Sequence, residues 1–175
     1  MPASSKTIGL RKIRKSDFPY FLKWWKDKEL VKLTSGIYEK DNKVLKGYFL
    51  VMLDSKKDNH YLIKYNSKIV GNISLTHKNK STFEVNIVIG EKEYWGKGIG
   101  ATSVDKVLNI AFKKLGYGKA YIEVRPENKR AIELYEFCGF RKLGIKKYSD
   151  NKYQPEVLKM SLSKKEFFKR KAYKL

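Results

Sequence analysis

Trp95-Gly96-Lys97-Gly98-Ile99-Gly100-Ala101 joins two segments of different periodicity. Before it, Phe83-Glu84-Val85-Asn86-Ile87-Val88-Ile89 reads as a strand; after it, Thr102–Leu115 reads as a helix. A glycine turn between strand and helix lets backbone come close to a ligand, because no side chain stands in the way. The first N–H groups of the helix have no internal partners and add to the helix dipole, so the turn is suited to an anion. This predicts a ligand carrying a phosphate or pyrophosphate. The stretch lacks the Gly-x-x-x-x-Gly-Lys-Ser/Thr spacing of a P-loop, and Ser103 stands where a dinucleotide fingerprint has its last glycine. ATP and NAD are therefore disfavoured, and a plain turn is the competing reading of the loop.

The next segment decides between them. Lys119-Ala120-Tyr121-Ile122-Glu123-Val124 reads as a strand. It is followed by Arg125-Pro126-Glu127-Asn128-Lys129-Arg130-Ala131-Ile132-Glu133-Leu134-Tyr135-Glu136-Phe137-Cys138-Gly139-Phe140. This run resembles the second half of the acetyl-CoA site of the Gcn5-related N-acetyltransferase (GNAT) superfamily, Asn-x-x-Ala-x-x-Leu-Tyr, three residues, then Gly-Phe. Asn128, Ala131, Leu134, Tyr135, Gly139 and Phe140 match. The glycine loop resembles the first half, Gln/Arg-x-x-Gly-x-Gly/Ala, with Trp95 where Gln or Arg is usual. The run Tyr94-Trp95-Gly96-Lys97-Gly98 is similar to the branch of ribosomal-protein alanine N-acetyltransferases. The resemblance is specific over residues 83–144 and looser elsewhere.

It implies an α/β (α+β) fold with a mixed, mostly antiparallel central sheet of about seven strands, flanked by helices. It also implies a V-shaped splay between the fourth and fifth strands. One N-acetyltransferase domain is expected over 1–175. The implied reaction is direct transfer of acetyl from acetyl-CoA, as cosubstrate and without metal, to a primary amine. The acceptor is expected to be a protein N-terminal α-amine or a small-molecule amine such as a polyamine, aminosugar or aminoglycoside.

Four roles follow from the resemblance. The pyrophosphate falls to the backbone of Gly96, Lys97, Gly98, Ile99, Gly100 and Ala101, beside Trp95, with Thr102 or Ser103 adding a hydroxyl and Lys97 and Arg130 adding charge. The pantetheine arm falls to the main chain of Ile87, Val88 and Ile89, with Asn128 and Ala131 opposite; a strand N–H there would polarise the thioester carbonyl. Tyr135 would donate a proton to the leaving thiolate, since a phenol is protonated at neutral pH. Glu84, on the strand entering the site, would take the proton of the amine; Glu156, His60 and His77 are weaker candidates. The acceptor pocket of the superfamily is built from the first two helices and the late strands, where Trp25, Tyr38 and Tyr148 are candidate contacts. Cys138 is expected to be a buried helix-end residue rather than a nucleophile.

Composition bounds the rest. A chain of 175 residues can bury a core without staples, and its single cysteine excludes an internal disulfide. Neither a secretory signal nor a membrane-length apolar run is visible, which predicts a cytoplasmic protein with no membrane partner. The 39 basic and 18 acidic residues give a net charge of +21, which favours anionic partners. The lysines are spread along the chain and no nucleic-acid signature is present, so no specific nucleic acid is expected. A basic ribosome- or RNA-associated module and a non-catalytic CoA-binding module remain rivals, and the resemblance admits a homodimer.

Other elements predicted from pattern are a strand over 8–13, a helix opened by Ser16 with Pro19 in its first turn, and a short helix over 28–33. A helix over 41–53 and strands over 60–65, 68–76 and 82–89 follow. A helix over 129–137, strands over 140–148 and 153–162, and a last helix opened by the capping box Ser163-Lys164-Lys165-Glu166 complete the chain.

Overall fold

The structure, a computed structural model, describes residues 7–35 and 40–172. Its strands are β1 (Ile8–Lys12), β2 (Asn59–Tyr65), β3 (Lys68–His77), β4 (Thr82–Ile89), β5 (Lys119–Val124), β6 (Arg141–Lys147) and β7 (Glu156–Ser163). Its α-helices are α1 (Phe18–Lys26), α2 (Lys28–Leu33), α3 (Asn42–Asp54), α4 (Ile99–Asn109), α5 (Lys129–Phe137) and α6 (Lys164–Ala172). The strands form one seven-stranded sheet in the order β1-β2-β3-β4-β5-β7-β6. Every neighbouring pair is antiparallel except β4 and β5.

That parallel seam is short. Only Thr82, Phe83 and Glu84 pair with Lys119, Ala120 and Tyr121, although β4 continues to Ile89 and β5 to Val124. Beyond Glu84 and Tyr121 the strands part, and each keeps only its other neighbour. This is the V-shaped splay, and the backbone groups of Val85–Ile89 on that side face a gap rather than a strand.

Side-chain alternation assigns the two faces. Phe83 and Val85 of β4, and Ala120, Ile122 and Val124 of β5, join a core with Val104, Leu108 and Phe112, Tyr135 of α5 and Phe167 of α6. On the other face Leu62 packs with Phe21, Trp24, Leu30 and Phe49 from α1, α2 and α3, and Val88 borders that cluster. Glu84, Asn86, Tyr121 and Glu123 therefore look toward the face of α1–α3.

Three boundaries differ from expectation. The helix predicted from Thr102 begins at Ile99, because Gly98 adopts a left-handed φ of +74° and serves as its N-cap; its last turn, Ile110–Lys114, widens into a π-turn. Ser16 does not open α1. It lies in a 3-10 turn, Lys15–Asp17, closed by the Asp17 carboxylate, which accepts from the Arg14 N–H at 2.7 Å and from the Arg11 guanidinium at 2.9 Å. Tyr153 is not in a strand, because the Asn151 side chain accepts from the N–H groups of Tyr153 and Gln154 at 3.1 and 3.0 Å and folds the chain into a turn before β7. The Ser163–Glu166 capping box forms as predicted, with both backbone N–H groups satisfied. No helix among the described residues is long and apolar enough to cross a membrane.

Candidate active site

The gap between β4 and α5 opens into a cleft of about 350 Å³. Ile87, Val88, Ile89, Trp95, Gly96, Lys97, Gly98, Ile99, Gly100, Ala101, Asn128, Arg130, Ala131 and Tyr135 all line it, with Leu30, Leu33 and Thr34 of α2 and its end on a further wall. Thr102 departs from the predicted set. It turns to a neighbouring hollow beside Asp105, Phe137, Cys138 and Arg170. Two residues past Gly100, about 200° further around α4, its side chain leaves the cleft side.

Local chemistry explains the shape. Gly96 and Gly98 both take left-handed backbone, at φ +72° and +74°, which turns β4 into α4. Gly100 serves packing instead: a Cβ there would run into the Leu134 side chain, so the missing methyl lets α5 close on α4. Asn128 has two jobs. Its Oδ1 accepts from the Ala131 N–H at 3.2 Å and caps α5, while its Nδ2 donates to the Leu33 carbonyl at 3.2 Å.

Trp95, the departure from the family pattern, is built into the wall. Its indole N–H donates to the Ile89 carbonyl at 2.7 Å. Backbone groups alternate along a strand, so Ile87 turns its N–H and carbonyl the same way as Ile89. The Arg130 guanidinium stacks on the Trp95 ring with its carbon 3.4 Å from the ring centroid. Burial lowers the Arg130 pKa, against a small upward pull from Glu29. An exposed guanidinium held on an aromatic face is suited to an anion arriving at the cleft mouth.

Tyr135 is buried to 5% exposure in the α4–α6 core, its ring 5.8 Å from that of Phe140, and it still borders the cleft. Burial pushes its pKa up, with further upward pushes from Cys138 and Glu84. The phenol therefore keeps its proton. Cys138 is buried, with Sγ 3.9 Å from the Ala101 carbonyl.

The face of α1–α3 carries a second polar cluster, and neither its Glu84 and Glu123 nor its Tyr121 and Tyr148 is among the residues that line the cleft. Glu84 is ion-paired to Lys78 at 2.8 Å and lies one step below the splay. Two residues past the last β4–β5 rung stands Glu123, which the motif reading passed over. Its carboxylate accepts from the Tyr121 hydroxyl at 2.5 Å and from the Tyr148 hydroxyl at 2.7 and 2.8 Å. The Lys146 ammonium lies 3.8 Å from Glu123 and 4.4 Å over the Tyr148 ring. Burial raises the Glu123 pKa, but the two phenols, Lys146 and Lys78 outweigh it and hold the carboxyl below its usual range. The pKa of the neutral Tyr121 hydroxyl is in turn pushed upward, by burial first and then by its bond to Glu123.

Of the predicted acceptor contacts, Tyr148 is thus placed on Glu123, 25 residues away in sequence. Trp25 packs instead against Phe21, with ring centroids 5.4 Å apart, at the edge of the α1–α3 cluster and off the cleft lining. Tyr38 lies outside the described residues. His77 contacts the Tyr117 hydroxyl at 2.7 Å, His60 is inside the sheet, and Glu156 pairs with Lys147 at 3.6 Å; these three are apart from the cleft. Alternation along β5 could have singled out Glu123, since Tyr121 and Glu123 must leave the face of Ile122. Its nearness to Tyr148 required the fold.

A mixed sheet split at its one parallel seam, with a glycine turn and a tyrosine-bearing helix across the split, defines the N-acetyltransferase architecture. The acetyltransferase (GNAT) domain family matches residues 7–141, and the chain belongs to that family. An uncharacterised N-acetyltransferase of Methanocaldococcus jannaschii is 26% identical over 151 residues, 81% of this chain and 64% of that protein. The spermidine N(1)-acetyltransferase of Vibrio cholerae is 32% identical over 89 residues, 50% of this chain and 51% of that protein. The chain therefore spans less than two thirds of the length of these two curated relatives. The crystal structure of spermidine N-acetyltransferase from Vibrio cholerae in complex with CoA and spermine superposes with a TM-score of 0.80. It is 21% identical and covers 92% of this chain and 98% of that one, which shows a shared fold.

Proposed function

We propose that this protein is an acetyl-CoA-dependent N-acetyltransferase acting by direct attack on a primary amine that is cationic before reaction. The observation that carries the reading is the cleft at the splay, with its glycine turn and buried tyrosine; Glu84 and Glu123, on the two strands that part there, do not line it and are paired to Lys78 and Lys146. Acetyl-CoA supplies a thioester when bound. The residues present fit it, since an anion-suited turn, a stacked arginine and unpaired strand backbone line one continuous cleft.

The chain's own groups then divide the chemistry. Gly96–Ala101 and Arg130 hold phosphate. The N–H of Ile87 polarises the carbonyl under attack. Glu123, kept ionised, holds the incoming ammonium, and Glu84 or Glu123 takes its proton directly or through water. The amine nitrogen bonds to the acetyl carbon as the carbon–sulfur bond breaks, and Tyr135 gives its proton to the sulfur. Two carboxylates flanked by phenols suit a small amine with several charges, such as a polyamine or aminoglycoside. This agrees with the spermidine acetyltransferases among its relatives. A protein N-terminal amine is the second reading, carried by the Tyr-Trp-Gly-Lys-Gly run.

The first test is thermal melting with acetyl-CoA, ATP and NADH at moderate salt, followed by thiol release with an amine panel. A ligand at about 100 times its Kd adds about 2.7 kcal/mol. A rise with acetyl-CoA alone and turnover with amines are expected. Equal rises with all three anions would leave only a basic surface, and binding without turnover would leave a CoA-binding module.

A further inference from the structure

Arg125 is one of four buried polar or charged residues among the described residues, at 8% exposure. A buried guanidinium is costly unless its donors are met. Its nearest carboxylate is Glu127, 3.7 Å away on a side chain that is 69% exposed. Its short bonds go to main chain instead: Nε donates to the Thr34 carbonyl at 2.6 Å and Nη2 to the Tyr153 carbonyl at 2.5 Å. These partners lie 91 and 28 residues away in sequence.

The two carbonyls belong to the two segments that border the acceptor side. Thr34 ends α2 and lines the cleft. Tyr153 belongs to the turns joining β6 to β7, which begin at Tyr148, the partner of Glu123. Arg125 continues the alternation of Tyr121 and Glu123 and stands where β5 has lost β4 as a neighbour. A rigid fork with donors in fixed directions can tie two chains where no strand is present to do so. Main-chain carbonyls as targets mean that Arg125 fixes the path of both segments whatever side chains they carry.

We infer that Arg125 is a positioning residue that holds the α2 end and the β6–β7 turns at a set separation and so determines which amines reach Glu123. This rests on the reading of the protein as an amine acetyltransferase. Arg125 is not among the residues that line the cleft.

The test compares wild type, Arg125→Met and Arg125→Lys by acceptor KM, kcat, acetyl-CoA Kd from calorimetry, and amide hydrogen exchange. Arg125→Met is expected to raise KM for the preferred amine by about tenfold or more and to level the ranking of amines of different length. The values of kcat and acetyl-CoA Kd should change by less than about threefold. Exchange should quicken in both 31–35 and 148–155. Arg125→Lys should recover part of the KM, and millimolar guanidinium should recover part of it in Arg125→Ala. Unchanged KM and exchange in Arg125→Met would overturn the inference. So would a loss of acetyl-CoA affinity and melting temperature with KM unmoved. If Arg125→Met does not fold, Arg125→Lys with wild-type KM and exchange has the same force. A wild type that binds acetyl-CoA and acetylates no amine would defeat the functional reading instead. In that case unchanged exchange in the variants still overturns the role of Arg125 as a tie, and quickened exchange in both segments supports it.

Discussion

The Arg130 guanidinium stacks face-on over the Trp95 indole, its carbon 3.4 Å from the ring centroid, while that indole is anchored to the Ile89 carbonyl. The cleft mouth thus carries a positive charge oriented by an aromatic ring rather than by a carboxylate, which leaves its donors for a ligand. Such a contact is worth about 0.5–2 kcal/mol. Trp95→Ala should therefore weaken acetyl-CoA binding by about 2- to 30-fold, and Arg130→Ala by at least as much with a shallower salt dependence. Calorimetry at two salt concentrations reads both, and identical affinities would remove the pair from cofactor binding.

Tyr135 keeps its proton because it is buried. Tyr135→Phe preserves the ring packing against Phe140 and removes only the donor. The expected result is a fall in kcat of about 10- to 1,000-fold with acetyl-CoA Kd nearly unchanged. A variant with wild-type kcat would show that the thiolate needs no help from this phenol.

Glu123 and Glu84 should separate by role. Glu123 is held ionised by Tyr121, Tyr148 and Lys146, so Glu123→Gln should chiefly raise acceptor KM. Its depressed pKa means that its contribution is full above the ordinary carboxylate range, near pH 4.3, and is lost as pH falls through its lower folded value. An acidic limb in acceptor binding should therefore appear only below about pH 4.3. Glu84→Gln should lower kcat if Glu84 is the base, and a kcat within about twofold of wild type would leave that role to Glu123 or solvent.

Gly100→Ala places a methyl against Leu134 and should destabilise by about 1–3 kcal/mol. Combining it with Leu134→Ala should cost less than the sum of the two single changes, because the second opens the space the first needs. Additive melting shifts would show that α4 and α5 are not packed through this contact.

His60 supplies a pH test of stability. Burial lowers its pKa, partly offset by Asp58, and its Nδ1 is buried with no hydrogen-bond partner. The unfolded chain then binds the proton more readily, so stability is full above about pH 6.5 and declines as pH falls toward the folded value. Melting temperature should drop between pH 7.5 and 5, and His60→Leu should flatten that slope. An equal slope in the variant would assign the loss to other groups.

The cofactor half of the site was legible because it is local. Gly96–Ala101 and Asn128–Tyr135 each lie within one turn–helix unit, and their spacing alone states how backbone and side chains are presented. The proposed acceptor half was less legible, because Glu123 meets Tyr148, and Arg125 meets Thr34 and Tyr153, across long stretches of chain. Glu84 was readable as a strand carboxylate, but its pairing to Lys78 was not. Trp25 shows another limit: an aromatic on the first helix reads equally well as a ligand contact or as packing, and its ring against Phe21 is visible only in the fold. The helix start at Ile99 was placed late for a related reason, since the left-handed cap at Gly98 was read as part of the loop.

By itself the sequence determined the order of strands and helices, the glycine turn and the tyrosine helix, and through them the family. These are set by periodicity and by backbone freedom at particular residues, which act within a few positions. Only the tertiary structure decided that β4 and β5 part after three rungs, that Trp95 and Arg130 stack at the mouth, and that two carboxylates share a face with Tyr121 and Tyr148. Those relationships are made by packing and hydrogen bonding between residues distant in the chain, and no local pattern encodes such a distance.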